Sequence, residues 1–242
     1  CIFLDPARRN EHGGKTVAIS DCEPNVAELE GLLLSKANRI MIKLSPMLDL
    51  SQALKELPHT QEVHIISVNN ECKELLLLLG QTAPEEIPVH CVNLSTKGEQ
   101  EKQLFVFTRE QEQHSECSYT DTLGNYLYEP NASLLKAGAF RSIAAAYSVK
   151  KLHPNSHLYT SDTQIEGFPG RTFRIINRCS LNKKEIKENL SDLKKANITV
   201  RNFPATVAEL RKRIKLAEGG DTYLFASTLN DGQKILIRCG KV

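Results

Sequence analysis

Three short runs in this chain place reactive side chains directly after stretches that read as β-strands. Asp5-Pro6-Ala7-Arg8-Arg9 follows Ile2-Phe3-Leu4, Lys43-Leu44-Ser45-Pro46 ends a β-rich run, and Asn69-Asn70-Glu71 follows another. In an open parallel sheet, ligands bind beyond the carboxyl ends of the strands, where side chains and backbone groups leave the ladder toward a crevice. A proline directly after Asp5 removes an N–H and fixes φ, so the Asp5 carboxylate and carbonyl are held outward on a stiff turn. That suits an acceptor placed beside a planar substrate, although Asp-Pro is also a common strand terminator. Arg8 or Arg9 could meet a phosphate or stack on a base. Lys43, Ser45, Asn70 and Glu71 are candidates for substrate contact, with plain strand-end charge as the other reading of Lys43 and Glu71. Cys72 is the best-placed thiol, but a lone cysteine beside a helix start is more often inert than nucleophilic. The seven histidines show no H-E-x-x-H spacing, and the one H-x-x-x-H pair, His153 and His157, spans the helix-breaking Pro154, so no metal site is read from the sequence.

The elements that must position these residues fall into three regions. In residues 1–112, β-rich runs at 2–4, 39–44 and 63–68 alternate with helical patterns at 26–35 and 50–57, the signature of a parallel α/β sheet. Residues 71–80 read as a helix closed by Gly80, and 88–94 with 103–108 as a terminal antiparallel pair. Residues 113–170 read as a helical, irregular connector. In it Asn131 or Ser133 caps one amphipathic helix reaching about 149, with Leu135, Ala139, Ile143 and Tyr147 on one face, and a short strand follows at 158–160. Residues 171–242 carry the clearest local signals. Asn182-x-x-Glu185 and Thr206-x-x-Glu209 are capping boxes, Gly219-Gly220 reads as a helix stop, and Asn230-Asp231-Gly232 as a hairpin turn. The order βαβαββ makes a compact α/β module.

The chain has 242 residues, 40% hydrophobic and 25% charged, enough for more than one core. Its longest apolar run, 75–79, is far short of the ~20 residues of a membrane span, and no secretory leader pattern is present. The seven cysteines are dispersed without a C-x-x-C pair, which argues against a disulfide framework and a zinc ribbon and for reduced thiols in the cytoplasm. Net charge is unevenly divided. Residues 1–170 hold 15 basic and 22 acidic side chains, and residues 171–242 hold 16 and 7, so a balance of −7 is followed by one of +9. The basic module is the candidate for meeting a polyanion. Arg171, Arg174 and Arg178 lie along one strand, while Lys183, Lys184, Lys194, Lys195, Arg201, Arg211, Lys212 and Arg213 decorate the following elements. Such charges bind nucleic-acid backbones with little sequence discrimination.

Phe3-Leu4-Asp5-Pro6-Ala7-Arg8 resembles motif IV of class I S-adenosylmethionine-dependent methyltransferases, in which Asp/Asn-Pro-Pro-Tyr/Phe/Arg ends the fourth strand. The runs 43–49, 70–75 and 126–130, with Arg201-Asn202-Phe203-Pro204 and Leu210-Arg211-Lys212-Arg213, look like a bacterial family in which a methyltransferase domain precedes a THUMP-like domain. The resemblance covers essentially the whole chain. It implies the C-terminal half of a Rossmann-like methyltransferase domain over 1–112 and a THUMP-like domain over 171–242. It also implies a fragment that starts at the fourth strand and lacks the half holding most of the donor, S-adenosyl-L-methionine.

In that resemblance Asp5, Pro6 and Arg8 are the catalytic positions, Asp5 also borders the donor, and Arg9, Lys43, Ser45, Asn70 and Glu71 face the substrate. Ala7 and Arg8 replace the second proline and the aromatic residue of the motif, which removes its stacking surface. The partners implied are tRNA or rRNA and the N-terminal half of the same protein. Two functions stay open: an RNA methyltransferase, or a non-catalytic RNA-binding or ribosome-associated adaptor on the same scaffold.

Overall fold

The computed structural model describes residues 1–8, 18–96 and 102–242. They form two compact α/β units: Cys1–His114 with Asn131–Ala139, and Ser115–Pro130 with Phe140–Val242. Residues 113–170, a connector by sequence, are therefore distributed between the two.

In the first unit the order is β1 (Ile2–Leu4), β2 (Ala7–Arg8), β3 (Cys22–Glu23), α1 (Val26–Lys36), β4 (Ile40–Leu44), α2 (Leu50–Glu56), β5 (Thr60–Val68), β6 (Glu71–Leu79), β7 (Pro88–Leu94), β8 (Lys102–Thr108) and α3 (Arg109–His114). Six strands form one sheet in the order β1-β4-β6-β5-β7-β8. The pairs β1–β4 and β5–β7 are parallel, β6 is antiparallel to both β4 and β5, and β8 is antiparallel to β7. Short polar caps start the two helices beside β4. Asn25 Oδ1 accepts from Ala27 N at 3.2 Å and Asp49 Oδ1 from Gln52 N at 2.8 Å.

Residues 71–79 are a strand, not the helix that their leucine run suggests. Asn69 and Asn70 both take positive φ, 50° and 65°, which closes a two-residue hairpin whose twist matches the flanking strands. The reversal fixes β6 against β5, and alternation then sends Leu75, Leu77 and Leu79 into the core, each 0–1% exposed. Burying each contributes about 1.5–3 kcal/mol relative to exposure, which outweighs the helical preference of leucine. One sheet face, with Ile42, Val63, Ile65, Leu77, Val89 and Cys91 buried, packs against α4 (Ala132–Ala137), which contacts β5, β6 and β7. Asn131 Oδ1 caps α4 through Leu134 N at 3.2 Å, and Asn70 Oδ1 accepts from Ala132 N at 2.8 Å.

The second unit holds β9 (Tyr126–Pro130), α5 (Phe140–Tyr147), β10 (Lys150–Lys151), β11 (Tyr159–Ser161), β12 (Gly170–Cys179), α6 (Lys183–Leu190), β13 (Asn197–Arg201), α7 (Val207–Ile214), β14 (Thr222–Thr228) and β15 (Lys234–Lys241). One seven-stranded sheet runs β10-β11-β9-β12-β15-β14-β13. The expected βαβαββ order is present from β12 to β15. The single helix expected from 131 to about 149 is instead two, because Gly138 at φ 76° ends α4 in the left-handed cap geometry and α5 starts two residues later. The stop of α7 also differs: Lys215, at φ 62°, is its C-cap, and Gly219 and Gly220 belong to the loop beyond. At Gly170 a Cβ would collide with the Glu129 carbonyl oxygen, so the β9–β12 pairing requires glycine there. The sheet carries separate cores on its two faces, one with Leu127, Phe173, Phe225 and Ile237, the other with Cys179, Leu190, Leu210 and Leu224. No helix among the described residues is long and apolar enough to cross a membrane.

His157 stacks on Phe140 with centroids 3.7 Å apart, and its buried Nδ1 has no hydrogen-bond partner. Burial, then the charges of Lys151 and Arg201, lowers its pKa to about 4. Below its unfolded value of 6.5 the unfolded chain takes up a proton that the folded chain refuses until about pH 4, so stability from this group falls as pH falls through that window. In thermal melts between pH 7 and 4.5, His157→Asn is expected to lose less stability on acidification than the parent sequence. Equal losses would show that His157 does not titrate this way.

Candidate functional site

The parallel pair β1–β4 releases both strands at one edge, and the site is built there. Ile2 pairs with Ile40 and Leu4 with Ile42, so Asp5, one residue past β1, lies alongside Lys43 near the end of β4. Lys43 Nζ is 2.7 Å from Asp5 Oδ2 and 3.8 Å from Glu74 Oε2. Its hydrogen bond to Asp5 raises the Lys43 pKa, with the charges of Glu74 and Asp5 adding and burial opposing. Lys43 therefore stays protonated and fixes the direction of the Asp5 carboxylate. An open cleft of about 340 Å³ surrounds the pair, lined also by Pro6, Ala7, Ser45, Pro46, Lys73 and Glu74.

Of the residues singled out by sequence, the structure brings Asp5, Pro6, Lys43 and Ser45 to this cleft. Ser45 also shapes its own turn, since its Oγ accepts from Met47 N at 3.2 Å and its carbonyl from Leu48 N at 3.1 Å. The backbone of Arg8 pairs with Cys22 in the small β2–β3 ladder, and Arg9 lies outside the described residues. Asn70 and Glu71 are elsewhere. Leu75 pairs with Leu44, so Glu71 sits four residues further along β6, roughly 13 Å at 3.3 Å per residue. There the Asn70 side chain holds α4, its N–H donates to Asn93 Oδ1 at 3.0 Å, and Glu71 pairs with Lys73 at 2.7 Å. Lys73 and Glu74 are the residues that sequence reasoning missed. The signal that could have found them is the Asn69-Asn70 pair, because a hairpin turn there places the start of the return strand at the same edge as Asp5. Cys72 is partly buried and burial raises its pKa, against the lowering charge of Lys136, which favours the thiol over a nucleophilic thiolate.

The basic residues of the second unit divide into structural and exposed sets. Glu129 on β9 has a side chain only 2% exposed. Arg171 Nε donates to its Oε2 at 2.9 Å, Arg171 Nη2 bonds the same oxygen, and Arg201 Nη2 donates to Oε1 at 2.8 Å. Arg211 and Arg213 donate to the carbonyls of Ala196 at 3.2 Å and Leu181 at 2.6 Å. Lys183, Lys184, Lys194, Lys195 and Lys212 are exposed around α6 and α7. Arg174 and Arg178 are exposed on β12 but do not form one stripe. The bulge between Ile175 and Asn177 shifts the alternation, so Arg174 opposite Gly240 and Arg178 opposite Ile237 lie on opposite sheet faces. Arg174 borders a cleft with Asn125, Tyr126, Asp162 and Thr163.

Residues 170–241 match a family described as THUMP domain-like, and residues 126–169 match one described as a ferredoxin-like domain. The α/β module at the C-terminus is thus THUMP-like, and the stretch expected to be an irregular connector matches a domain model of its own. Over its whole length the chain is similar to the crystal structure of a candidate methyltransferase from Porphyromonas gingivalis W83, with 40% identity and a TM-score of 0.89. It spans 59% of that protein's chain. No curated protein matches the chain.

Because Glu129 is buried between two arginines, Glu129→Gln is expected to cost about 1.5–3 kcal/mol, the range for hydrogen bonds to charged groups, in urea denaturation. Unchanged stability would return Arg171 and Arg201 to the set available for ligand binding.

Proposed function

We propose that this chain is the acceptor-facing half of an S-adenosylmethionine-dependent methyltransferase that acts on RNA, with a basic THUMP-like module docking the substrate. The observation that carries the reading is the stiff Asp5-Pro6 turn at the carboxyl edge of the sheet, with Asp5 held by Lys43 at 2.7 Å. Asp5 would accept a hydrogen bond from an attacking exocyclic amine and orient its lone pair, a contribution of position and electrostatics rather than of proton transfer. Lys43 sets the direction of the carboxylate and Ser45 borders the substrate, and we propose Arg8 and Arg9 from the sequence as further substrate contacts. The 40% identity to a candidate methyltransferase supports the reaction class. The THUMP-like match and the net charge of +9 over 171–242 support RNA as partner.

The donor is a separate matter, because the described residues do not by themselves fit it. The cleft is lined mainly by charged, small and proline residues, and no described glycine lies in a G-x-G turn between a strand and a helix. We assign the donor mainly to a segment preceding Cys1, in keeping with the greater length of the Porphyromonas protein. Asn70 and Glu71 are proposed to act at the substrate's far end, beyond the cleft.

With the longer protein, labelled S-adenosylmethionine and bulk bacterial RNA, Asp5→Ala is expected to lower methyl transfer by about 10²-fold or more, the range for losing one aligned electrostatic group. Transfer unaffected by Asp5→Ala would remove the assigned acceptor, and its absence in the unmodified protein would leave the adaptor function. RNA binding supplies a second test. The Lys183→Ala/Lys184→Ala double variant is expected to reduce the slope of log affinity against log salt by about 1 to 2, while stability is unchanged. An unaltered slope would move the RNA contact away from α6.

A further inference from the structure

The first unit holds a second constellation that the acceptor cleft does not use. β5 and β7 are parallel with His64 directly opposite His90, and Glu62 lies two residues before His64, on the same face of β5. The two imidazoles stack with centroids 4.4 Å apart and planes 8° from parallel. Both present Nε2 to one carboxylate oxygen: Glu62 Oε2 is 3.1 Å from His64 Nε2 and 3.9 Å from His90 Nε2. One ligand atom from each residue falls within 4.8 Å of the other two.

We propose that Glu62, His64 and His90 form a binding site for a divalent transition metal, Zn²⁺ above all. Two imidazole nitrogens and one carboxylate oxygen are a ligand set that zinc takes, with a fourth position left open. Tetrahedral ligands about 2.0–2.1 Å from zinc lie roughly 3.3 Å from one another, close to the present Nε2–Oε2 distances of 3.1 and 3.9 Å, and coordination requires the imidazoles to turn out of their parallel stack so that both Nε2 lone pairs meet at one ion. The side chains are accessible, with relative exposures of 45% for Glu62, 27% for His64 and 25% for His90. An ion can therefore enter from solvent. Leu76 and Leu78 on β6 and Val106 on β8 stand opposite these residues, an apolar surround that limits competition from other charges.

Metal binding requires an unprotonated Nε2 on each imidazole, so it is weakened by acid. The sequence concealed the site because its two histidines lie 26 residues apart and meet only through the β5–β7 register.

Cobalt titration of the metal-free chain at pH 7.5 tests the proposal. The expected result is one equivalent of Co²⁺ bound with intense visible d–d bands, no near-ultraviolet sulfur-to-cobalt band, and displacement by Zn²⁺. His64→Ala and His90→Phe are each expected to weaken binding by at least about tenfold, since even supporting residues of metal sites cost 10–100-fold. His90→Phe keeps a ring in the stack, so it removes the nitrogen while preserving the fold, which circular dichroism verifies. Zn²⁺ is also expected to raise the melting temperature of the unmodified chain and not that of His90→Phe. Absence of stoichiometric binding, or equal affinity in the folded His90→Phe chain, would overturn the assignment.

Discussion

Asn69 and Asn70 reverse the chain in two residues, and both occupy the left-handed region that few residues other than glycine and asparagine accept. The reversal inserts β6 antiparallel between β4 and β5. Because β6 starts at the edge where β1 and β4 end, Lys73 and Glu74 join Asp5 and Lys43 around one cleft. The same turn anchors the helix that closes the buried sheet face, since Asn70 Oδ1 receives the Ala132 N–H. Turn geometry, core burial and the composition of the cleft are thus consequences of one local constraint, sealed by the three buried leucines of β6.

The second unit depends in the same way on β12, which pairs with β9 on one side and β15 on the other. Its bulge exchanges the residues facing the two cores, which lets one strand contribute Phe173 to one core and Cys179 to the other. Charge is apportioned accordingly. Glu129 needs two arginines to be buried at all, so Arg171 and Arg201 serve the fold, and the lysines of α6 and α7 remain as the electrostatic surface.

Local chemistry was the legible part of the sequence. Asn182 and Thr206 cap their helices as read, with Glu185 N and Glu209 N donating at 2.8 and 3.2 Å, because a capping motif is decided within four residues. Strands β4, β7 and β8 were similarly readable from their apolar patterns. What escaped is decided at long range. A run of five leucines suits a helix or a buried strand, and only the partners of β6 distinguish them. The bulge in β12 leaves no sequence mark, so the placing of Arg174 and Arg178 on opposite faces of the sheet could not be read from their spacing. Asp5 and Lys43 were legible as strand ends, whereas their ion pair and the Glu62–His64–His90 cluster follow from strand register, which one sequence does not display.

The central claim is that this chain supplies the acceptor side of a methyl-transfer site while a preceding segment holds the donor. Isothermal titration of S-adenosylmethionine into this chain, and into a form extended before Cys1, tests it most directly. The account predicts saturable one-to-one binding by the extended form and none by the chain alone. Binding of equal affinity to both would contradict the division of the site, and no binding to a folded extended form would contradict the methyltransferase reading itself.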